Sequence, residues 1–173
     1  MFVGDEVLLE VSFAVARERL AQLAEGSVLI GTSQDAYGRG AVALASTGMT
    51  GLSELVRVQV REMSWTDRTA GLAIRWEATG SGGGLVPVLD ADIRLAPAGK
   101  HATLLTMAGV YRPALGSLEK TLDQANLHRA AAVTIRSFAA EVAARITGRP
   151  GAAQAAVPNG AGASPPPGVT GPA

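Results

Sequence analysis

The sequence predicts an α+β domain in which an antiparallel sheet wraps around a long C-terminal helix, with two short helices after the first strand. Three observations lead to this fold class. Segments between Val56 and Tyr111 alternate apolar and polar residues with the period of a strand. The turns between these segments are too short to contain a crossover helix, so consecutive strands are expected to pair antiparallel. The last periodic segment has the helical spacing of three and four residues.

The chain opens with a predicted strand from Glu6 to Phe13, EVLLEVSF, although its apolar spacing is irregular. The next segment has helical spacing from Ala14 to Leu23, and Gly26 is a natural end for a short helix. A second short helix is expected to follow. The segment from Gln34 to Ser46 contains two glycines, and each lowers helix propensity by about 1 kcal/mol relative to alanine. It is therefore predicted to be irregular.

Four strands form the rest of the predicted sheet. The segments VRVQV, LAIRWEAT and VLDADIRL alternate apolar with charged or polar residues, which is typical of half-buried strands. In the last strand, TLLTMAGVY, we take the face with Tyr111 as the inward one because the opposite face has less apolar volume. The residues predicted to face inward on the last three strands are Leu72, Ile74, Trp76 and Ala78, Leu89, Ala91, Ile93 and Leu95, and Leu105, Met107, Gly109 and Tyr111.

An apolar stripe on the final helical segment is the predicted cover for the inward face of the sheet. The stripe consists of Leu127, Ala131, Ile135, Phe138, Val142 and Ile146. At about 100° per residue, Leu115, Leu118 and Leu122 project to nearly the opposite side of the same ideal helix. The helix therefore either kinks or breaks between Asp123 and Asn126, or other elements clasp its first turns. This region is the expected mouth of a cavity.

Composition restricts the partners and cofactors that are expected. The 15 basic and 15 acidic residues cancel and are interspersed, unlike the positive surface of a nucleic-acid-binding protein. No cysteine is available as a thiolate ligand, and two histidines alone cannot build a closed zinc site, so we expect no metal and no cofactor. No segment has the ~20 apolar residues of a membrane span, and the first residues lack the pattern of a secretory signal, so the expected location is the cytoplasm. The oligomeric state stays open.

One domain, from Met1 to Thr147, is predicted from the length of the chain. From Gly148 onward the sequence is rich in Pro, Gly and Ala and has no bulky residue to offset chain entropy by burial. Residues 148–173 are therefore predicted to be a disordered tail. Within the domain, small apolar side chains dominate, and these are compatible with either a tightly packed interior or an open cavity.

Two segments support a resemblance to a known superfamily. One runs from Arg75 to Gly99, RWEATGSGGGLVPVLDADIRLAPAG, and the other from Gly109 to Phe138, GVYRPALGSLEKTLDQANLHRAAAVTIRSF. Together with the order of elements, they resemble the helix-grip fold of the START-related superfamily, also called SRPBCC, and within it a branch of actinobacterial proteins of unassigned function. Such sequences often have a second proline after the tyrosine, where this chain has Arg112-Pro113-Ala114.

The resemblance implies a cavity between helix and sheet that commonly holds a hydrophobic small molecule, and it implies no particular reaction. Trp76 and Tyr111 would line one wall and offer an indole N–H and a phenol as orienting groups, unless both rings simply fill the core. His128, at the edge of the helical stripe, could act as a donor or base, although a helix-edge histidine is more often satisfied by solvent or a carbonyl. The expected lining is Ile74, Trp76, Leu89, Ala91, Ile93, Met107, Tyr111, His128, Ile135 and Phe138.

Two other motifs have simpler interpretations. GSGGG lacks the Lys-Ser/Thr of a phosphate-binding loop, so it is predicted to be a hairpin loop. Asp90 and Asp92 form the best carboxylate pair for acid–base catalysis, but strand alternation puts them on the wet face near Arg75 and Glu77. Cross-strand ion pairing is the favoured role for these carboxylates.

The favoured function is binding of a hydrophobic small molecule, either a lipid or a polyketide-like compound, in the cavity between the sheet and the C-terminal helix. The alternative is an enzyme of the polyketide cyclase or dehydratase kind, with His128 or Tyr111 as the candidate residue that moves a proton. A third hypothesis is that the interior closes completely and the domain acts through its surface or its Pro-rich tail.

Overall fold

The computed structural model of the 173-residue chain describes residues 2–45, 55–79, 88–112 and 124–149. Its elements in chain order are β1 (Phe2–Leu9), α1 (Phe13–Glu25), α2 (Ser27–Ala45), β2 (Leu55–Trp65), β3 (Ala70–Thr79), β4 (Val88–Pro97), β5 (Thr103–Arg112) and α3 (Gln124–Thr147). The strands form one antiparallel sheet in the order β1-β5-β4-β3-β2. This arrangement confirms the predicted fold class, in which a meander follows a first strand and two helices.

The two faces of the sheet differ as the alternation predicts. On the outer face, Arg57, Gln59 and Arg61 of β2 and Asp92 and Arg94 of β4 are exposed. On the inner face, every residue of β3, β4 and β5 that is predicted to face inward is buried, apart from Ala78, whose side chain lies outside the description. The alternative face of β5 is thereby excluded, and the larger apolar volume was the correct criterion for choosing between the two.

Helix α3 covers the inner face of the sheet. All six residues of the predicted stripe are buried, with Ala131 the most accessible at 8 % exposure. The helix lies against α2, β1 and β5. It approaches the sheet closely at Gly109, where an added Cβ atom would lie 2.8 Å from Cδ1 of Ile135. The predicted cover of the sheet is therefore confirmed.

Hydrogen bonds join the end of α3 to the region around the start of α1. The Arg19 guanidinium donates to the carbonyl oxygen of Ile146, and Arg149 Nη2 donates to Glu10 Oε2 at 2.8 Å. Gly148 follows the helix with φ of +73°, a left-handed conformation that favours glycine. The chain after α3 is thus directed back towards the segment that joins β1 to α1.

The prediction for the first strand is wrong in position, because β1 spans Phe2–Leu9 instead of Glu6 to Phe13. Its pairing with β5 extends over its whole length, with Val3 and Leu9 buried on the inner side. Ser12 is the extended N-cap residue of α1, so the chain has left the sheet before Phe13. Val11 and Phe13 are partly buried against the hydrophobic core, and their apolar character resembled a continuation of the strand.

The prediction of an irregular segment from Gln34 to Ser46 is wrong, because α2 continues through both glycines to Ala45 and is not a short helix. Gly40 has a packing role. A Cβ atom at this position would overlap Oγ1 of Thr134 and would lie 2.9 Å from the carbonyl oxygen of Ala130, both on α3. The glycine therefore permits close contact between the helices, and this tertiary packing outweighs its low helix propensity.

Several predictions fall outside the described residues. They concern the GSGGG loop, the side chains of Leu115, Leu118 and Leu122, and the tail from Pro150 onward. The helix that bears the apolar stripe is described from Gln124, next to the position where the sequence predicts a kink or a break. Among the helices that are described, none has the length and apolar character needed to cross a membrane.

Candidate ligand site between the sheet and two helices

The inner face of the sheet consists of cross-strand rows of side chains. Strand register gives three successive rows across β3, β4 and β5: Trp76–Leu89–Tyr111, Ile74–Ala91–Gly109 and Leu72–Ile93–Met107. In the middle row the side chains become smaller from Ile74 to Ala91 and Gly109, and Ile135 of α3 lies over these small residues. The small residues of this row therefore allow α3 to approach the sheet closely at Gly109.

Trp76 lies where the sheet, α2 and α3 meet. Its side chain is fully buried, and its Nε1 donates a hydrogen bond to the carbonyl oxygen of Ser33 at 3.2 Å. Its ring packs edge-to-face against Phe138 of α3, with centroids 5.3 Å apart and planes at 89°. This geometry is favourable for two aromatic rings. The indole therefore joins three elements, and its only donor is satisfied.

Tyr111 and His128 form a ring contact where the interior meets the surface. Tyr111 is buried at 2 % exposure, whereas His128 is exposed. Their ring centroids are 6.5 Å apart and their planes are tilted by 53°. Burial raises the pKa of the Tyr111 hydroxyl above its ordinary value of 10.0. The phenol is therefore protonated at neutral pH and can donate a hydrogen bond.

Two hydroxyl groups on α2 lie in the interior without a hydrogen-bond partner. The inner stripe of this helix contains Leu29, Thr32, Ser33, Ala36 and Gly40, all of them buried. Oγ1 of Thr32 and Oγ of Ser33 make no hydrogen bond within the described structure. Our sequence analysis missed both residues. Their spacing of three and four from Leu29 would have indicated them if this segment had been assigned to a long helix.

The carboxylates of β4 serve the outer face of the sheet. Asp90 lies directly opposite Arg75 of β3, and Asp90 Oδ1 is 3.6 Å from Arg75 Nη1. This contact confirms the cross-strand ion pair predicted for Asp90. Across the described ranges, no group of three or more His, Cys, Asp or Glu side chains could hold a metal ion.

The expected lining residues divide into two sets. Buried at 5 % exposure or less are Ile74, Trp76, Leu89, Ala91, Ile93, Met107, Tyr111, Ile135 and Phe138. His128 alone is exposed and meets the others through its contact with Tyr111. The structure thus brings together the apolar residues that the alternation selects, and it places His128 at the edge of this group instead of inside it.

Comparison with known proteins supports the fold. No protein-family model matches the sequence, and no curated protein matches it. A solved structure of a conserved protein from Geobacillus kaustophilus is similar, with a TM-score of 0.54 and 14% sequence identity over 86% of this chain and 96% of that chain. The chain has a helix-grip fold. At this level of identity the similarity concerns the fold alone.

Two enzymes are more distant matches to this chain. An aromatase/cyclase, Zhui, from Streptomyces sp. R1128 has a TM-score of 0.40 and 9% identity over 84% of this chain and 95% of that chain. Norcoclaurine synthase from Thalictrum flavum has a TM-score of 0.34 and 9% identity over 80% of this chain and 93% of that chain. Structural similarity of this extent says nothing about the activity of this chain.

Proposed function

We propose that this protein binds a hydrophobic small molecule, such as a lipid or a polyketide-like compound, between the inner face of its sheet and helices α2 and α3. The observation that supports the proposal is the composition of this interior. The inner rows of the sheet are apolar across β3 to β5, while a few polar groups, including the Tyr111 phenol, lie among them. An apolar lining with a small number of orienting polar groups is typical of small-molecule sites.

The side chains of α3 that face inward support the same proposal. Besides the larger residues of its stripe, this helix buries a set of alanines: Ala130, Ala131, Ala139 and Ala143. Small side chains on a covering helix leave depth between the helix backbone and the sheet wherever no bulky residue fills it. A molecule in such a space gains from removal of apolar surface from water, by about 25 cal/mol per Å².

The proposal is tested by binding of a neutral apolar fluorophore, N-phenyl-1-naphthylamine, to purified protein from which lipids have been extracted. Mass spectrometry of the organic extract identifies molecules that co-purify with the protein. A matched pair of variants on β4 locates the site. Leu89→Trp enlarges a buried inner residue, and Arg94→Trp adds the same side chain to the exposed outer face.

We expect the wild type and Arg94→Trp to bind the fluorophore with similar affinity, and Leu89→Trp to bind it at least tenfold more weakly while retaining its far-ultraviolet circular dichroism. If Leu89→Trp does not fold, Leu89→Phe provides a smaller enlargement. A folded wild-type protein that yields no extracted ligand and binds no fluorophore would contradict the proposal. Equal binding by the folded Leu89 variant and the wild type would place the site elsewhere.

A second candidate function, proton transfer of the polyketide cyclase or dehydratase kind, is favoured by the buried phenol of Tyr111. Because burial raises its pKa, the phenol stays protonated and is suited to donate a hydrogen bond to a substrate carbonyl, where negative charge develops during the reaction. The test is turnover of a poly-β-ketone by the wild type, Tyr111→Phe and His128→Gln. Loss of about 100-fold or more in Tyr111→Phe is expected if its hydroxyl donates a hydrogen bond to the developing oxyanion. Unchanged turnover in both variants would exclude these assignments.

A further inference from the structure

The hydroxyl groups of Thr32 and Ser33 require a partner that the described part of the chain does not provide. The two residues are only 3 % and 0 % exposed, and neither side-chain oxygen makes a hydrogen bond. A buried polar group without a partner is unfavourable by an amount similar to a lost hydrogen bond. Such groups in folded proteins are normally satisfied by protein, by an ordered water molecule or by a ligand.

Two other buried hydroxyls among the described residues do have hydrogen-bond partners. Thr134 on α3 is also 3 % exposed, and its Oγ1 donates to the carbonyl oxygen of Ala130 at 3.0 Å. Thr103 on β5 is fully buried, and its Oγ1 donates to the carbonyl oxygen of Val11 at 2.8 Å. A helical hydroxyl can bond the carbonyl four residues earlier, as Thr134 does. Thr32 and Ser33 do not use this option.

The surroundings of Ser33 place these hydroxyls beside the proposed site. The carbonyl oxygen of Ser33 accepts the hydrogen bond from Trp76 Nε1, and Trp76 packs on Phe138. Trp76 belongs to the same inner row of the sheet as Leu89 and Tyr111. The indole donor is already satisfied, so it does not meet the needs of the two hydroxyls. They are therefore polar groups beside a mainly apolar wall.

We propose that Thr32 and Ser33 hydrogen-bond a hydroxyl or carbonyl group of the bound molecule. The ligand class is then an apolar compound with an uncharged polar group, such as a phenol, an alcohol or a ketone. A serine or threonine hydroxyl both donates and accepts, which suits each of these groups. Burial of an ionised group would require an opposite charge, and the inner stripe of α2 has none. This inference rests on the proposed function.

The test compares two probes of nearly equal size, 2-naphthol and 2-methylnaphthalene, which differ in a hydroxyl and a methyl group. Their dissociation constants are measured by displacement of N-phenyl-1-naphthylamine. The quantity of interest is the preference ratio, the dissociation constant of 2-methylnaphthalene divided by that of 2-naphthol. It is determined for the wild type, for Thr32→Val with Ser33→Ala, and for Thr134→Val as the matched control, whose hydroxyl already has a partner.

We expect the preference ratio to fall about fivefold to tenfold in the double variant, which is the range for loss of one or two hydrogen bonds. In Thr134→Val the ratio is expected to stay at the wild-type value. Circular dichroism and thermal unfolding confirm that each variant is folded, and Ser33→Ala alone replaces the double variant if that protein does not fold.

Three outcomes would overturn the inference. If both probes bind and the ratio is the same in the double variant, the hydroxyls are satisfied by water or by the protein, and the proposed function stands. If Thr134→Val lowers the ratio equally, the effect is not specific to α2. If neither probe binds to any of the proteins, the proposed function fails together with the inference.

Discussion

Gly40 permits the close contact between α2 and α3, and its replacement by alanine tests this packing directly. The Cβ atom of an alanine would overlap Thr134 Oγ1 and would lie 2.9 Å from the backbone oxygen of Ala130. The threonine side chain can rotate away, but the backbone oxygen moves only if the helices separate. Gly38 lies on the exposed side of the same helix, and a Cβ atom there would meet no other atom within 4 Å.

The two substitutions are predicted to change stability in opposite directions. Replacing a helical glycine by alanine stabilises a helix by about 1 kcal/mol, and Gly38→Ala should gain this amount. Overpacking costs about 1–3 kcal/mol, and for Gly40→Ala we take the upper value because backbone atoms must move. After the helix gain, Gly40→Ala loses about 2 kcal/mol. The two variants should therefore differ by about 3 kcal/mol, which corresponds to about 6–12 °C in Tm for a chain of this size.

The assay is thermal and urea unfolding of lipid-free protein, followed by circular dichroism at matched protein concentration. A third variant, Gly40→Ala with Thr134→Ala, removes the side chain that the new methyl group overlaps. It should recover part of the lost stability but not all of it, because the contact with the Ala130 oxygen persists. The coupling between positions 40 and 134 is obtained from the double-mutant cycle, with Thr134→Ala as the fourth protein.

Equal stabilisation by Gly38→Ala and Gly40→Ala would refute the reasoning. It would mean that α2 and α3 are farther apart in solution than the structure shows, and that Gly40 does not determine their separation. Additive effects of Gly40→Ala and Thr134→Ala would likewise show that these two residues do not touch.

Three further predictions concern single groups. The pKa of Tyr111 is raised above 10.0 in the folded protein, so the unfolded chain loses this proton first and the free energy of unfolding should fall as pH rises above about 10. In Tyr111→Phe, the urea midpoint should decrease less steeply with pH than in the wild type. An equally steep decrease would contradict the burial of the phenol. Asp90→Asn should lower the free energy of unfolding by no more than about 1 kcal/mol, and by less at high salt, because the ion pair with Arg75 is partly exposed. A larger loss would contradict the view that this ion pair contributes little to stability. Trp65→Phe leaves Trp76 as the single tryptophan, and its side chain is fully buried. The fluorescence of this variant should therefore be blue-shifted and weakly quenched by iodide. Strong quenching by iodide would contradict the packing of Trp76 against α2 and α3.

The sequence predicted the sheet well because its information is local. Alternation in β2, β3 and β4 assigns each residue to a face without knowledge of the partner strand, and a shift by one residue would expose every apolar side chain. The inward face of β5 was harder to assign, because both of its faces contain apolar residues. The larger apolar volume on the face that bears Tyr111 was sufficient to identify it. The first strand failed because Val11 and Phe13 continue its hydrophobicity after the chain has left the sheet.

Helix α2 could not be predicted fully from its own residues. The local propensity of Gly38 and Gly40 is unfavourable for a helix, and the compensating contact comes from Thr134 and Ala130, far away in sequence. Thr32 and Ser33 lie just before the segment that was predicted to be irregular, and no inner stripe was assigned to the short helix expected there. A long helix assigned to this segment would have placed both hydroxyls on the buried side from their spacing alone.

Gly40 and the two hydroxyls of α2 are parts of one arrangement. Gly40 brings the helix against α3 at one position, and Ser33 lies about two turns away along the same face, where Trp76 and Phe138 stand between the elements. A separation of α2 from α3 at Gly40 would also shift the part of α2 that bears Thr32 and Ser33 relative to Trp76, so it should affect the proposed site as well. Gly40→Ala is therefore expected to change fluorophore affinity, whereas Gly38→Ala should raise stability and leave that affinity unaltered.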